Sequence, residues 1–354
     1  MTGPVPRPVQ LRPGLRVLPR AADEVQVGTD PRWAVRLVGL SAAEMRLWTA
    51  VDGATDLTSL PALARTAGAD PAAVAATVDD LRHAGLTRAR PDATGAVHGP
   101  AAADAAAWTL LRPDGAGPEV VTGRAGAVVG VVGLGPTGLG VARHLAAAGV
   151  GTLLLDDEAP VRSPDVVAGG HRWADVGTPR VVAATRALRE AAPGTRVTTD
   201  GEPDLVVVVE QQAADPLRTV RLLGEQVTHL SVVLRLADAS VGPLVRPGTD
   251  PCLRCLDLHR SDADPGWPAV LGAVTTGARD AGEVGVLAGA CAALAAAHVL
   301  AFLAGTAPAL RGTTVEISLP DLRHRERRWS AHPACGCLAP PVAPVSRAVA
   351  PPGT

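Results

Sequence analysis

The chain has 354 residues, which is longer than a typical single domain and favours two domains. Hydrophobic residues make up 47% of it, enough for sizeable cores, and 33 basic against 35 acidic residues give a net charge of −2. That balance excludes a nucleic-acid-binding protein of the strongly basic kind. The chain contains no Lys, Asn or Tyr, so a lysine missing from any one position says nothing about function.

The N-terminal residues 1–20 contain no apolar segment, so we expect no signal peptide and a cytoplasmic protein whose cysteines stay reduced. One apolar run, Val284 to Gly305, is long enough to span a membrane. It is dominated by Ala and Gly and carries His298, without Trp or basic flanks. We therefore favour a buried helix, with a membrane span as the alternative.

The first predicted domain covers residues 1–90 and begins with strands. Trp33, Val35 and Leu37 alternate with less apolar residues, which is the period of a half-buried strand, and Val25 with Val27 indicates a partner strand before it. For the tryptophans Trp33 and Trp48, core packing is the simpler interpretation, and exposed anchors for a peptide are the alternative.

Three helices are predicted after these strands. Ser41 and Glu44 form a capping box, Asp70 and Pro71 open the third helix, and Gly85 ends it. The apolar positions that define the three helices are Leu47, Trp48 and Val51; then Leu60, Leu63 and Ala67; and finally Val74, Val78 and Leu81. Small strands followed by three helices predict a winged-helix-like α+β domain.

Residues 91–123 are rich in Ala, Gly, Pro and Asp, which predicts a linker with one short strand near Trp108. From Arg124 to Leu338 the pattern changes to apolar strands alternating with helical stretches, which predicts a doubly wound, Rossmann-like α/β domain. The predicted strands are 127–132, 152–155, 205–209 and 229–234. The proline-rich segment 339–354 is predicted to be a disordered tail.

A glycine-rich loop follows the first of these strands and precedes a helix. Gly133, Gly135 and Gly138 permit a tight turn and close approach to a phosphate, while the helix N-terminus supplies N–H donors. Asp156 and Asp157 end the next strand, where an acid can accept hydrogen bonds from ribose hydroxyls. These residues predict a nucleotide site; the alternative is a glycine turn kept only for packing.

Four of the five cysteines form two close pairs, Cys252 with Cys255 and, about eighty residues later, Cys335 with Cys337. Two such pairs fit a tetrahedral Zn²⁺ site without an open position, so the metal would be structural. Redox pairing of Cys252 with Cys255, or ordinary free thiols, are the alternatives. Cys291 lies among alanines and is interpreted as a small core residue.

The glycine loop, the Asp156 strand end, residues 174–180, the paired thiols and the apolar helix occur in the order typical of one family. Over about 124–338 the chain resembles the ThiF and MoeB adenylyltransferases and the related ubiquitin-activating enzymes. The resemblance implies activation of the C-terminal carboxylate of a small protein or peptide by ATP with Mg²⁺. It also implies a structural zinc held by four cysteines, and a homodimer.

The first domain, from Leu11 to Leu86, is similar to PqqD-like domains that bind the leader segment of ribosomally made peptides. The match includes residues 12–14, Leu40 with Ser41, and residues 81–86. A recognition domain ahead of a ThiF-like domain resembles the partner proteins of YcaO cyclodehydratases. That resemblance implies a scaffold in which adenylation is often lost.

Three positions depart from active family members. The segment 165–170 has no arginine where the resemblance places one for the triphosphate, and the nearest, Arg172, comes five residues late. Arg180 stands in the place of a lysine, and Gln211 stands where an aspartate organises magnesium. Glu210 or Asp215 would replace that aspartate in a shifted register.

These departures favour a leader-peptide-binding partner of a modifying enzyme such as a YcaO protein, which adds the peptide as a strand to its small sheet. An active ATP-dependent adenylyltransferase is the alternative. DNA binding is disfavoured because residues 1–92 hold eleven Arg against ten acidic residues. We expect neither a nucleic-acid nor a membrane partner.

Overall fold

The computed structural model describes residues 8–89, 97–112, 114–276 and 282–338. The chain divides into two compact units, Met1–Ala125 and Gly126–Thr354. Each unit has its own buried apolar cluster.

The N-terminal unit is an α+β structure, as predicted. Its strands are β1 (Val9–Leu11), β2 (Val17–Ala21), β3 (Glu24–Val27), β4 (Val35–Val38) and β5 (Thr87–Ala89). Its helices are α1 (Ala42–Thr49), α2 (Leu60–Ala67), α3 (Pro71–His83), α4 (Ala102–Leu111) and α5 (Gly117–Gly123). β2, β3 and β4 form an antiparallel sheet in that order, while β1 pairs with β5.

Local capping signals fix the ends of the first helices. The predicted capping box forms, because Ser41 and Glu44 each bond the other's backbone N–H. Asp70 caps α3 through the N–H of Ala72. Trp48 is fully buried in the core, as the simpler interpretation expected.

The face predicted for α2 is wrong at one position. Leu63 is largely exposed, and the buried residues of α2 are Leu60 and Ala64. Their spacing of four residues places the small Ala64 side chain, rather than Leu63, against the core.

The segment predicted as a linker with a short strand contains the helices α4 and α5 instead, and Trp108 lies in α4. Gly117 explains how they pack, because a Cβ there would overlap the backbone of Ala105 in α4. The buried Arg124 side chain bonds Asp104 at 2.6 Å and lies over the Trp108 ring. Small residues that suggest a linker by composition thus permit close helix contact.

The C-terminal unit is built on one eight-stranded sheet. Its strands are β6 (Val128–Val132), β7 (Thr152–Asp156), β8 (Arg196–Thr198), β9 (Leu205–Gln211), β10 (His229–Leu234), β11 (Asp238–Val245), β12 (Thr313–Ser318) and β13 (Arg323–Arg328). Its helices are α6 (Pro136–Ala147), α7 (Arg180–Ala191), α8 (Pro216–Gly224), α9 (Leu253–Ala263), α10 (Trp267–Thr276) and α11 (Gly285–Leu303). The order is β13-β12-β11-β10-β9-β6-β7-β8.

Five strands, β8, β7, β6, β9 and β10, are parallel, which confirms the predicted doubly wound arrangement. The sheet continues through β11, β12 and β13 as an antiparallel extension that the sequence pattern did not predict. Between β6 and β9 the direction of strand addition reverses. In such sheets the carboxyl ends of the two strands at this point border the ligand crevice.

The apolar run predicted as a helix is α11, which packs against α6. Leu287, Cys291, Ala295 and Val299 place one side of α11 in the main core. α11 is also long and apolar enough to cross a membrane by length and composition, with 39% of its most apolar window buried. Core helices commonly satisfy the same criterion.

Candidate functional site

The glycine loop turns tightly between β6 and α6. Gly133 has φ +82°, and a Cβ there would overlap the carbonyl oxygen of Val209. A Cβ at Gly138 would overlap the carbonyl oxygen of Gly133. Both positions therefore require glycine, and the turn brings the N-terminus of α6 to the carboxyl end of β6.

A cavity of about 480 Å³ opens beside this loop, at the carboxyl ends of β6, β7 and β9. Its glycine lining comes from Gly133 and Gly135. Its charged lining residues are Asp156, Asp157, Glu158, Glu210, Glu283, Arg162, Arg180 and Arg218. Acids outnumber arginines in this lining, so the cavity does not present a strongly basic phosphate site.

The two aspartates at the end of β7 have different roles. The Asp157 carboxylate accepts from the N–H of Leu134 at 2.7 Å and of Ala159 at 3.0 Å, so it holds the glycine loop in place. Asp156 is exposed and lines the cavity. Of the two, Asp156 is the carboxylate available to a ligand.

Arg180 lies in the cavity wall but is committed to carboxylates of this chain. Its guanidinium contacts Asp165 at 2.7 Å and Asp157 at 3.2 Å, and only 12% of its side chain is exposed. These carboxylates raise the pKa of Arg180 against the opposing effect of burial. A phosphate would have to compete with both acids for this arginine.

Arg172, the other candidate cation, does not line the cavity. Its guanidinium lies 3.5 Å from Asp175 and 3.5 Å from Glu190, and half of the side chain is exposed. Directly after the segment that lacks the arginine, the buried His171 donates from Nε2 to the carbonyl oxygen of Leu134 at 2.7 Å. This region therefore supports the glycine loop through a hydrogen bond to its backbone.

The candidate magnesium position is occupied by Gln211, which lines the cavity at the end of β9. The neighbouring Glu210 is buried and bonds Arg218 at 2.6 Å, and desolvation raises its pKa. Asp215 is the N-cap of α8 and accepts from the N–H of Leu217. Both acids near Gln211 are therefore already engaged in structural contacts.

Glu283 is the residue that most changes the expected chemistry of the site. Its Oε2 accepts from the backbone N–H of Thr137 at 2.7 Å and from the Thr137 hydroxyl at 2.6 Å. The Oε1 atom occupies the space that a Cβ on Gly135 would fill. A carboxyl group of the protein thus lies at the helix N-terminus where a phosphate would be expected.

The four paired cysteines converge in the C-terminal unit, with all four sulfur atoms within 4.8 Å of one another. Cys252 Sγ lies 3.5 Å from Cys335 Sγ, and Cys255 Sγ lies 3.4 Å from Cys337 Sγ. A tetrahedral site with Zn–S bonds of about 2.3 Å needs sulfur atoms about 3.8 Å apart. The cluster is therefore compatible with zinc.

Backbone N–H groups near two of the sulfur atoms favour thiolates, whereas burial opposes them. The N–H of Cys255 points to the Cys252 sulfur, and the N–H of His332 points to the Cys255 sulfur. Burial raises the pKa of Cys252 and raises that of Cys337 to about 11, so a metal must displace protons to bind at neutral pH. Cys291 lies apart in α11 and is buried in the main core, as predicted.

A buried carboxylate orders the turn that enters the cysteine cluster. Asp250 is fully buried and contacts Arg246 at 2.8 Å and Arg311 at 2.6 Å. Pro251 and Cys252 follow directly, and α9 begins at Leu253. The ion pairs therefore fix the backbone that presents the first thiol.

Sequence reasoning missed Glu283 and did not assign a role to Asp165 or His171. Glu283 precedes the apolar helix, and nothing nearby in sequence indicates its partner Thr137, 146 residues away. Asp165 lies in a segment that we considered only for its lack of arginine. The Glu283–Thr137 and Asp165–Arg180 contacts both join segments that are distant in sequence and meet only in the tertiary fold.

A glycine loop at the reversal point of a parallel sheet, in the same unit as a four-cysteine cluster, defines a Rossmann-type α/β protein with a candidate ligand site and a candidate structural metal centre. Comparison with known families gives the same class. The ThiF family model matches residues 125–339, which is more than half of the chain. The chain belongs to the ThiF family.

Among curated proteins, the chain is similar to the vegetative HesA protein of Trichormus variabilis, with 28% identity over 228 residues. That alignment covers 59% of this chain and 79% of HesA.

Among solved structures, it is similar to Escherichia coli MccB with ATP, at TM-score 0.68 and 16% identity, covering 93% of this chain and 99% of MccB. It is also similar to MccB bound to N-formylated MccA, at TM-score 0.69 and 16% identity, covering 93% and 99% of the two chains. A third match is PaaA, at TM-score 0.67 and 16% identity, covering 89% of this chain and 99% of PaaA. At this identity the likeness establishes the fold, and its coverage extends beyond the ThiF region.

Proposed function

We propose that this ThiF-family protein binds a ribosomally made peptide through its N-terminal unit and presents it to a modifying enzyme, such as a YcaO cyclodehydratase, without adenylating it. In this proposal the C-terminal unit is a scaffold that docks the catalytic partner. It is tied together by zinc on Cys252, Cys255, Cys335 and Cys337. A cytoplasmic homodimer remains our prediction.

The observation that carries the proposal is that donor groups in the cavity wall are already hydrogen-bonded to carboxylates of the protein. Adenylation is catalysed largely by stabilising the charge on phosphate, so it needs free donors and a metal site. Here Glu283 bonds the Thr137 donors, Asp157 and Asp165 engage Arg180, and Gln211 offers a neutral amide. The Thr137 donors and Arg180 are thus already bonded to carboxylates of the protein, and Gln211 supplies no negative charge for magnesium.

The small N-terminal sheet supports the peptide-binding part. Among the described strands, β4 pairs only with β3, so its other edge can accept an extended peptide as an added strand. Arg36 and Val38 are the exposed residues of β4. The MccB structures that resemble this chain include complexes with the MccA peptide, and we extend peptide binding to this protein by that likeness.

ATP-dependent adenylation of a peptide carboxylate is the second candidate. It is favoured by the intact glycine loop, by the available Asp156 and by the likeness to MccB solved with ATP. It would require nucleotide to displace Glu283 and magnesium to bind without the expected aspartate.

The test of peptide binding is a calorimetric titration of the full-length protein with the leader half of a candidate ribosomal precursor peptide. The matched control is the same peptide N-methylated at alternate residues, which removes main-chain donors while keeping every side chain. We expect micromolar or tighter binding of the unmodified peptide. Binding should be lost when the N-methyl groups lie on the peptide edge that pairs with β4. Equal binding of both peptides, or no binding at high micromolar concentration, would contradict strand addition.

A further inference from the structure

The carboxyl group of Glu283 lies at the N-terminus of α6, a position that favours anions. The N-terminus of α6 carries partial positive charge and, at Thr137, an N–H group without an acceptor inside the helix, and both favour a negative ligand. Thr137 directs both its N–H and its hydroxyl to Oε2 of Glu283. The protein therefore fills this anion position with its own side chain.

The backbone on either side of Glu283 is closely packed, which restricts the position of its carboxyl group. Gly282 and Gly285 flank it in sequence, and a Cβ at either would contact Pro164 or Val167, at 2.6 Å and 3.2 Å respectively. Leu287, two residues further on, is buried in the main core. Close backbone packing before and after Glu283 thus fixes its side chain over the loop.

A phosphate cannot share this space. Oε1 fills the volume next to Gly135 that close approach of a phosphate to the glycine loop needs. Carboxyl and phosphate oxygens accept from the same donors, so binding of one excludes the other. This exclusion is steric and holds whether or not Glu283 carries a proton.

We propose that Glu283 is a specificity-determining residue that occupies the phosphate position of the glycine loop and excludes ATP from the cavity. The inference deepens the proposed function, because it names the side chain that closes the nucleotide site. It implies that truncating this one side chain restores binding of a nucleoside triphosphate. Binding of peptide by the N-terminal unit would be unchanged.

The test is calorimetric titration of the full chain with ATP, with Mg²⁺ present, for the wild type and four variants. Glu283→Ala and Glu283→Ser both empty the anion position, and the second covers the case in which the first does not fold. Glu283→Gln keeps an oxygen that accepts from Thr137 and is the matched control for size. Glu225→Gln, on the exposed end of α8, controls for the loss of one negative charge.

We expect the alanine and serine variants to bind ATP about tenfold tighter than the wild type, or better, as released charged hydrogen bonds allow. The Glu283→Gln and Glu225→Gln variants should stay within about twofold of the wild type. Unchanged ATP affinity in both truncations would overturn the inference, even if no form binds. Peptide titrations of the same variants report on the proposed function separately.

Discussion

Arg180 donates two hydrogen bonds to one carboxylate oxygen of Asp165, from Nε at 3.1 Å and from a terminal nitrogen at 2.7 Å. Asp165 is almost fully buried and also accepts from the N–H of Arg162 at 2.9 Å. The pair joins the start of α7 to the loop after β7. This arginine of the cavity wall therefore acts first as a structural group.

The Asp165→Ala variant should lose about 1 to 3 kcal/mol of unfolding free energy, since it leaves Arg180 and the N–H of Arg162 short of an acceptor. The loss stays below that of a fully isolated buried charge because Asp157 still pairs with Arg180. Urea unfolding measures it. Asp321→Ala, at an exposed ion pair of 3.7 Å, is the control and should change stability by no more than about 0.5 kcal/mol. Equal losses in both variants would contradict a structural role for Asp165.

Stability should depend on pH through Glu283. Burial raises its pKa, opposed by the two hydrogen bonds from Thr137 and by the charge of Arg180. A carboxyl group whose pKa is raised on folding binds more protons in the folded state. Its contribution is therefore complete below the unfolded pKa of about 4.3 and is lost as pH rises towards the folded pKa.

The Glu283→Gln variant removes this titration. Its unfolding free energy relative to the wild type should increase with pH above about 4.3. Chemical denaturation of both proteins at a series of pH values gives the difference directly. A difference that is constant with pH would show that folding does not shift the pKa of Glu283.

The zinc proposal makes a prediction about metal content. We expect about one zinc per chain in the purified protein, because two thiolate pairs close a tetrahedral shell. Cys335→Ser should lose the metal and lower the melting temperature, since structural zinc contributes to folding. Elemental analysis by mass spectrometry decides it, with Cys291→Ser as the matched control that keeps its zinc. Full zinc content in the Cys335→Ser variant would refute the assignment.

Asp250 should matter to the metal site without touching the metal. Asp250→Asn removes the negative charge that Arg246 and Arg311 share. Both arginine side chains are partly exposed, so water can hydrate their charges in the variant. We therefore expect a modest loss of about 1 to 3 kcal/mol in unfolding free energy, with faster loss of zinc to a chelator. Unaltered zinc release would show that the Cys252 turn does not depend on this carboxylate.

Local sequence signals predicted much of the structure that the chain adopts. The capping box at Ser41, the cap at Asp70 and the strand, glycine loop and helix around Gly133 all depend on neighbours within a few residues. Such signals carry their own geometry, because a cap or a tight turn is satisfied within one segment. The convergence of the two cysteine pairs was predicted from the four thiolate ligands that a tetrahedral zinc site needs.

The remaining features depend on contacts between distant segments. α4 and α5 are rich in Ala and Gly, a composition that suggests a linker until Gly117 is seen packed on Ala105. The antiparallel strand β13 is almost entirely charged and carries no apolar alternation. Glu283 and Thr137 meet only because α11 packs beside α6.

The central claim is that this protein recognises a peptide without adenylating it. ATP–pyrophosphate exchange measured on the full-length protein with saturating precursor peptide tests that claim most directly, because exchange requires reversible attack on the α-phosphate. We predict no exchange above the level of a Gly135→Asp variant, whose glycine loop is blocked by a side chain. Robust exchange that disappears in Gly135→Asp and in Asp156→Ala would contradict the account and establish an active adenylyltransferase.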